Sequence, residues 1–140
     1  MIKVAATIIK DRGKILVCKR GPGGNCAHLW EFPGGKLEEG EDALEAAARE
    51  CWEELSIKIV PLGVLDEYSF SYPDRDIYFY FVLADYEGEE LLLHVHEDTK
   101  WLTPYEMYPD EFCPADRKII ELLRVQYDKN ILCVKKSREK

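Results

Sequence analysis

Between Glu41 and Leu55 the sequence repeats small and apolar residues at helical spacing, and no other stretch constrains the fold as strongly. Leu44, Ala47, Ala48, Cys51 and Leu55 follow the i, i+3, i+4 rule and predict one buried face. Glu50, Glu53 and Glu54 lie at i, i+3 and i+4 and share a stripe beside that face. Ala46 is read as lying on the acidic side, its small side chain leaving room above the cluster. Three like charges on one stripe repel by a few tenths of a kcal/mol per pair when solvated. A hard divalent cation reverses that sign, because Mg²⁺ prefers carboxylate oxygens and keeps waters for exchange with phosphate. A merely solvated acidic face is the competing reading.

Around this helix the chain alternates strand and helix patterns without regular βα repetition. Residues 2–10 and 14–20 read as antiparallel strands about an Asp11-Arg12-Gly13 turn. A loop follows over 21–28, then a short strand at 29–32 and a turn at Pro33-Gly34-Gly35. Residues 57–65 and 77–86 have strand composition, as does the stretch around Trp101. Thr103-Pro104 opens a short helical turn. Residues 116–127 form a second amphipathic helix with Ile119, Ile120, Leu122, Leu123 and Tyr127 inward, and the charged tail 135–140 is expected to fray. A single α+β domain spanning 1–140, with helices packed on a mixed sheet, fits this order better than a doubly wound parallel fold.

The formal net charge of −8, from 27 acidic and 19 basic residues, argues against duplex nucleic acid as a partner. A small phosphorylated ligand remains compatible where metal ions neutralise the site. No apolar run has the roughly 18 residues of a membrane span. The N-terminus does not read as a signal peptide, so a cytoplasmic location is expected. Five cysteines without CxxC spacing are expected to be reduced and mostly buried.

Gly35, then five residues to Glu41, then seven to Arg49-Glu50-Cys51-Trp52-Glu53-Glu54, resembles the Nudix box at every charged and glycine position. Two positions depart. Cys51 stands where an aliphatic residue is usual, and Ser56 where glycine is, at a cost on the order of 1–2 kcal/mol if the backbone there is left-handed. The resemblance implies a Nudix-type α/β/α sandwich with a loop–helix–loop that binds Mg²⁺, or Mn²⁺, and hydrolyses a nucleoside diphosphate derivative. By that resemblance Glu50, Glu53 and Glu54 ligate the metal, the Gly35 carbonyl adds a ligand, and Glu41 with Arg49 ties loop to helix. Glu50 or Glu53 would be the general base; the sequence does not choose between them.

Outside the box the chain is similar to the MutT and CTP-pyrophosphohydrolase branch of the family. The similarity rests on Val17–Arg20 with Leu29–Lys36, on Glu67-Tyr68 with Tyr72–Arg75, and on Pro114-Ala115-Asp116. It implies a small nucleotide substrate: Arg20 and Lys36 near phosphate or sugar, Phe32 and Tyr72 lining a base pocket, and Arg75 near the base. A monomer and a homodimer are both compatible with the sequence, which does not choose between them. Asp116 stands where the MutT branch has asparagine. Ionised, it only accepts, which favours a base edge rich in donors such as that of cytosine or 8-oxoguanine; helix capping is the alternative role. The family's additional glutamate falls on Val95, with Glu97 or Asp98 as substitutes. His28 is unassigned, His94 and His96 read as surface or strand residues, and Trp30 and Trp52 as packing.

Overall fold

Strand β1 (Ile2–Asp11) is buried without a break from Ala5 to Ile9, the signature of a strand covered on both faces. In the computed structural model, which describes residues 1–131, it lies at the centre of a seven-stranded mixed sheet. β1 runs parallel to β6 (Arg75–Tyr86) from the Ile2–Ile77 pair to Lys10–Asp85. Its other edge is shared by β2 (Lys14–Arg20) at Lys10–Asp11 and by β4 (Gly34–Lys36) at Val4–Ala6. Outward from β2 lie β3 (Trp30–Glu31) and β7 (His96–Leu102), and β5 (Ile59–Tyr72) pairs along β6.

Alternate residues of β1 and β2 feed two cores. Ala5, Ile9, Leu16 and Cys18 pack against helix α1 (Ala43–Leu55), and Ala6, Ile8, Ile15 and Val17 share a cluster with helix α2 (Arg117–Asp128). A helix therefore covers each face, in the expected α/β/α arrangement. Among the described residues no helix is long and apolar enough to cross a membrane.

Several local expectations change. α1 begins at Ala43 rather than Glu41, because Asp42 and Glu45 form a capping box that fixes its first turn. Its buried face is Ala43, Ala46, Ala47, Cys51 and Leu55, so Ala46 belongs to the core and not to the acidic side. Leu44 and Ala48 are only partly buried. Trp52 is 53% exposed and stands outside both core clusters, whereas Trp30 packs against the core beneath the Lys100 ammonium. β5 extends to Tyr72, where Tyr72 pairs with Arg75 across a tight turn, and Gly34–Lys36 is a strand rather than a turn. Tyr127 faces out beside the Tyr105 ring. The tail 135–140 and Cys133 lie outside the described residues; the other four cysteines are free and buried.

Candidate active site

Ser56 caps α1 in the left-handed region (φ 56°), the conformation for which glycine is usual. A strap over 91–95 offsets that cost. Leu92 N–H donates to the Leu55 carbonyl and His94 N–H to the Glu54 carbonyl, satisfying groups that a helix end leaves open. The Ser56 hydroxyl meets His94 Nε2 at 2.7 Å.

Arg49 gathers the box. Its Nε and Nη2 donate to Glu41 at 2.6 and 3.0 Å, and Nη2 also donates to the Lys36 carbonyl at 3.0 Å. Its Nη1 donates to Glu50 at 3.0 Å and Glu53 at 3.1 Å. The paired guanidinium holds the Glu41 carboxyl down at about 2. Loop and helix are thus joined by the residues that the spacing singles out.

The three glutamates diverge. Glu53 is exposed and touches Arg49. Glu50 lies behind Gly35, so close that a methyl group there would sit 2.4 Å from its carboxyl carbon. Glu54 turns inward, accepts from Gly34 N–H at 3.3 Å and lines a cleft of about 260 Å³. Burial, then the charges of Glu31 and Glu50, push the Glu54 carboxyl up to about 8. Among the described residues no three acidic, histidine or cysteine side chains already converge on one point. The donor set nonetheless fits a hard divalent cation: it is all oxygen, and a positive charge beside Glu54 would offset the burial and the carboxylate repulsion that raise it.

Arg20, Phe32, Gly35, Lys36, Tyr72, Arg75 and Asp116 line the same cleft as Glu54; Glu41, Arg49, Glu50 and Glu53 do not. Tyr72 Oη accepts from Ala115 N–H at 3.3 Å and Tyr68 donates to the Ala115 carbonyl at 2.7 Å, fixing the turn before α2. Asp116 stands at the N-cap position but makes no capping bond, because its backbone there is already helical. Its carboxylate instead accepts from the Phe32 backbone, and burial followed by the Glu31 charge pushes its pKa well above the usual carboxylate range.

The substitutes for Val95 do not join the cluster. Val95 is exposed, Glu97 pairs with His28 Nδ1 at 3.1 Å, and Asp98 accepts from the Thr99 N–H. His94 is exposed and His96 opens β7, as expected of surface and strand residues, and the His96 side chain is 3% exposed and bonded to Glu31. Sequence reasoning passed over Glu31, which also pairs with Arg20 and whose charge raises both Glu54 and Asp116. A lone charge in the apolar run Leu29–Pro33 was the available signal. It also passed over Cys26 and Cys113 as cleft residues; their mutual hydrogen bond brings Cys26 down to about 6 and raises Cys113.

A family model of the NUDIX domain matches residues 1–123. The chain belongs to the Nudix family. This Nudix hydrolase is 32% identical over 124 residues to an 8-oxo-dGTP diphosphatase of Haemophilus influenzae, covering 88% of this chain and 91% of that one. It is 34% identical over 122 residues to a CTP pyrophosphohydrolase of Escherichia coli, covering 86% and 90%. The solution structure of the E. coli ORF135 protein superposes with a TM-score of 0.76 at 31% identity, over 90% of each chain. A MutT protein from Methanosarcina mazei, with a TM-score of 0.79 at 23% identity over 89% and 94%, shares the fold. Nudix hydrolases generally use a divalent metal, for which the oxygen donors around Glu54 are suited.

Proposed function

We propose that this Nudix hydrolase is a Mg²⁺-dependent (deoxy)nucleoside triphosphate pyrophosphohydrolase of the cytoplasm, able to use Mn²⁺. It breaks the anhydride bond between the α- and β-phosphates, water supplying the new P–O bond, and releases a monophosphate and pyrophosphate. One observation carries this reading: a single cleft is lined both by Glu54 and Gly35 of the box and by Phe32, Tyr72 and Asp116. Polyphosphate chemistry and base recognition therefore fall within one ligand's length.

When bound, the cation neutralises phosphate charge and makes a bound water acidic enough to act near neutral pH. The chain's own residues supply the rest. Glu50, Glu53 and Glu54, with the Gly35 carbonyl, are the proposed ligands. Arg49 orients Glu50 and Glu53, either of which takes the proton from water. Arg20, Lys36 and Arg75 give the cleft its positive charge against the phosphates. Tyr72, only partly buried, supplies an aromatic wall, with the buried Phe32 ring behind the cleft, and base–aromatic stacking contributes about 1–3 kcal/mol per base.

Burial and the Glu31 charge raise the Asp116 pKa, which shifts its carboxyl toward the neutral form, so a donating role stands beside the accepting one. A neutral carboxyl donates one hydrogen bond and accepts another. That pair matches the N4 amine and N3 of cytosine, and equally the N7–H and O6 of 8-oxoguanine. A nucleotide panel tests the proposal by comparing kcat/KM for 8-oxo-dGTP, CTP and dCTP, with dinucleoside polyphosphates and nucleotide sugars as competitors. A triphosphate is expected to lead, and Glu53→Gln to lose at least about 10²-fold in kcat. Preference for a nucleotide sugar, or full turnover by Glu53→Gln, overturns the proposal.

A further inference from the structure

The residues flanking Val95 hold two parts of the site that are far apart in sequence. His94 bonds the end of α1 through its own N–H to the Glu54 carbonyl and through its ring to Ser56. Two residues on, His96 opens β7 directly opposite Arg20 of β2, where the ladder shifts register between Lys19 and Arg20. Such an irregularity re-aims the side chain that follows it. Glu31, on β3 at the other edge of β2, completes the group.

Both oxygens of Glu31 are engaged: Oε1 accepts from Arg20 Nη1 at 3.2 Å, and Oε2 meets His96 Nε2 at 2.9 Å. The imidazole is almost wholly enclosed and Glu31 mostly so, whereas 40% of the Arg20 side chain is exposed. His96 Nδ1 and Arg20 Nε are buried without a hydrogen-bond partner among the described residues, so Glu31 is the one hydrogen-bonded anchor that each displays. Mere packing does not require a polar ring in that slot, since a leucine fills a similar volume without an orphaned nitrogen. An acidic side chain lining a polyphosphate cleft repels substrate unless its charge is directed elsewhere, and here it is directed onto Arg20.

We propose that His96 is a positioning residue: acting through Glu31, it fixes the Arg20 guanidinium toward the substrate phosphates. The target of Arg20 rests on the nucleotide reading above; the fixing of Arg20 does not. His96→Leu removes the donor and fills the space, His96→Gln keeps an N–H donor, and Glu31→Gln keeps the shape while removing the charge. Hydrogen bonds to charged groups are strong enough that His96→Leu should raise KM for the preferred triphosphate by about tenfold, with kcat changed by less than about threefold. Glu31→Gln should do the same, His96→Gln should restore most of the affinity, and His96→Leu should add nothing to Arg20→Ala.

Side-chain NMR of the nucleotide-free protein gives an independent readout. Rotation of the Arg20 guanidinium should be slow in wild type and His96→Gln, and fast in His96→Leu and Glu31→Gln. Unchanged rotation in Glu31→Gln, equal damage by Gln and Leu at position 96, or additivity with Arg20→Ala overturns the proposal. If wild type turns over no nucleotide, the functional reading falls and the NMR comparison still decides the role of His96.

Discussion

Two adjacent glycines, Gly35 at the start of the box and Gly34 just before it, should fail in opposite ways when each is replaced by alanine. Gly35 has no left-handed φ, so alanine fits its backbone, but the new methyl would lie 2.4 Å from the Glu50 carboxyl carbon and one carboxylate oxygen. An ordinary contact begins near 3.4 Å, so the Glu50 tip must retreat by about 1 Å. That tip is the end of a flexible side chain, and moving it should cost less than about 1 kcal/mol of stability. The displacement matters far more to chemistry, where a misplacement of about 1 Å costs on the order of 10²-fold. Gly34 differs in both respects. Its φ is 157°, and a methyl there would lie 1.8 Å from the Ala5 carbonyl oxygen, a backbone atom held by the β1–β4 pairing. Neither partner can yield, so the loss should be at least about 3 kcal/mol, lowering Tm by roughly 10 °C. Thermal unfolding beside steady-state kinetics on the preferred triphosphate separates the two. Gly35→Ala should melt within a few degrees of wild type while losing about 10²-fold in kcat. If it keeps kcat within threefold, the contact between the loop and Glu50 does not set the catalytic geometry, and the reasoning is refuted.

Other perturbations follow from the same contacts. Because the Glu54 carboxyl is raised from 4.5 to about 8, the folded chain holds a proton that the unfolded chain releases, so metal-free stability should fall as pH rises through that window. Glu54→Gln should flatten this slope, and stabilisation by Mg²⁺, read as a Tm shift, should grow from pH 6 to pH 8.5 in wild type only. Asp116→Asn retains a donor and an acceptor and should keep kcat/KM within about tenfold, whereas Asp116→Ala should lose on the order of 10–10²-fold on the base the panel prefers. Arg49→Lys replaces a forked cation with a single ammonium that cannot span Glu41, Glu50, Glu53 and the Lys36 carbonyl. It should lower kcat by at least about tenfold and speed amide hydrogen exchange over 36–41.

The chain's local order was open to reading from residues alone. Helical spacing located α1 and three of its buried residues, Ala47, Cys51 and Leu55, but placed Leu44 and Ala48 inward where Ala43 and Ala46 are; β-branched runs located β1, β2 and β6, and the interval from Gly35 through Glu41 to Arg49 and its glutamates marked the box before any coordinate was known. These features depend on neighbours within a turn or a strand, where periodicity carries the information. Which glutamate turns inward did not follow, because i, i+3 and i+4 share a stripe whatever packs against it; the β4 loop draws Glu54 to Gly34 and leaves Glu53 to Arg49. Asp116 looked like a helix cap until the fold brought the Phe32 backbone to it. Glu31 and His96, 65 positions apart, meet only because β3 and β7 both pair with β2. Strand register and burial are properties of the assembled sheet, and they decided which charges face the cleft and which of them are held in place.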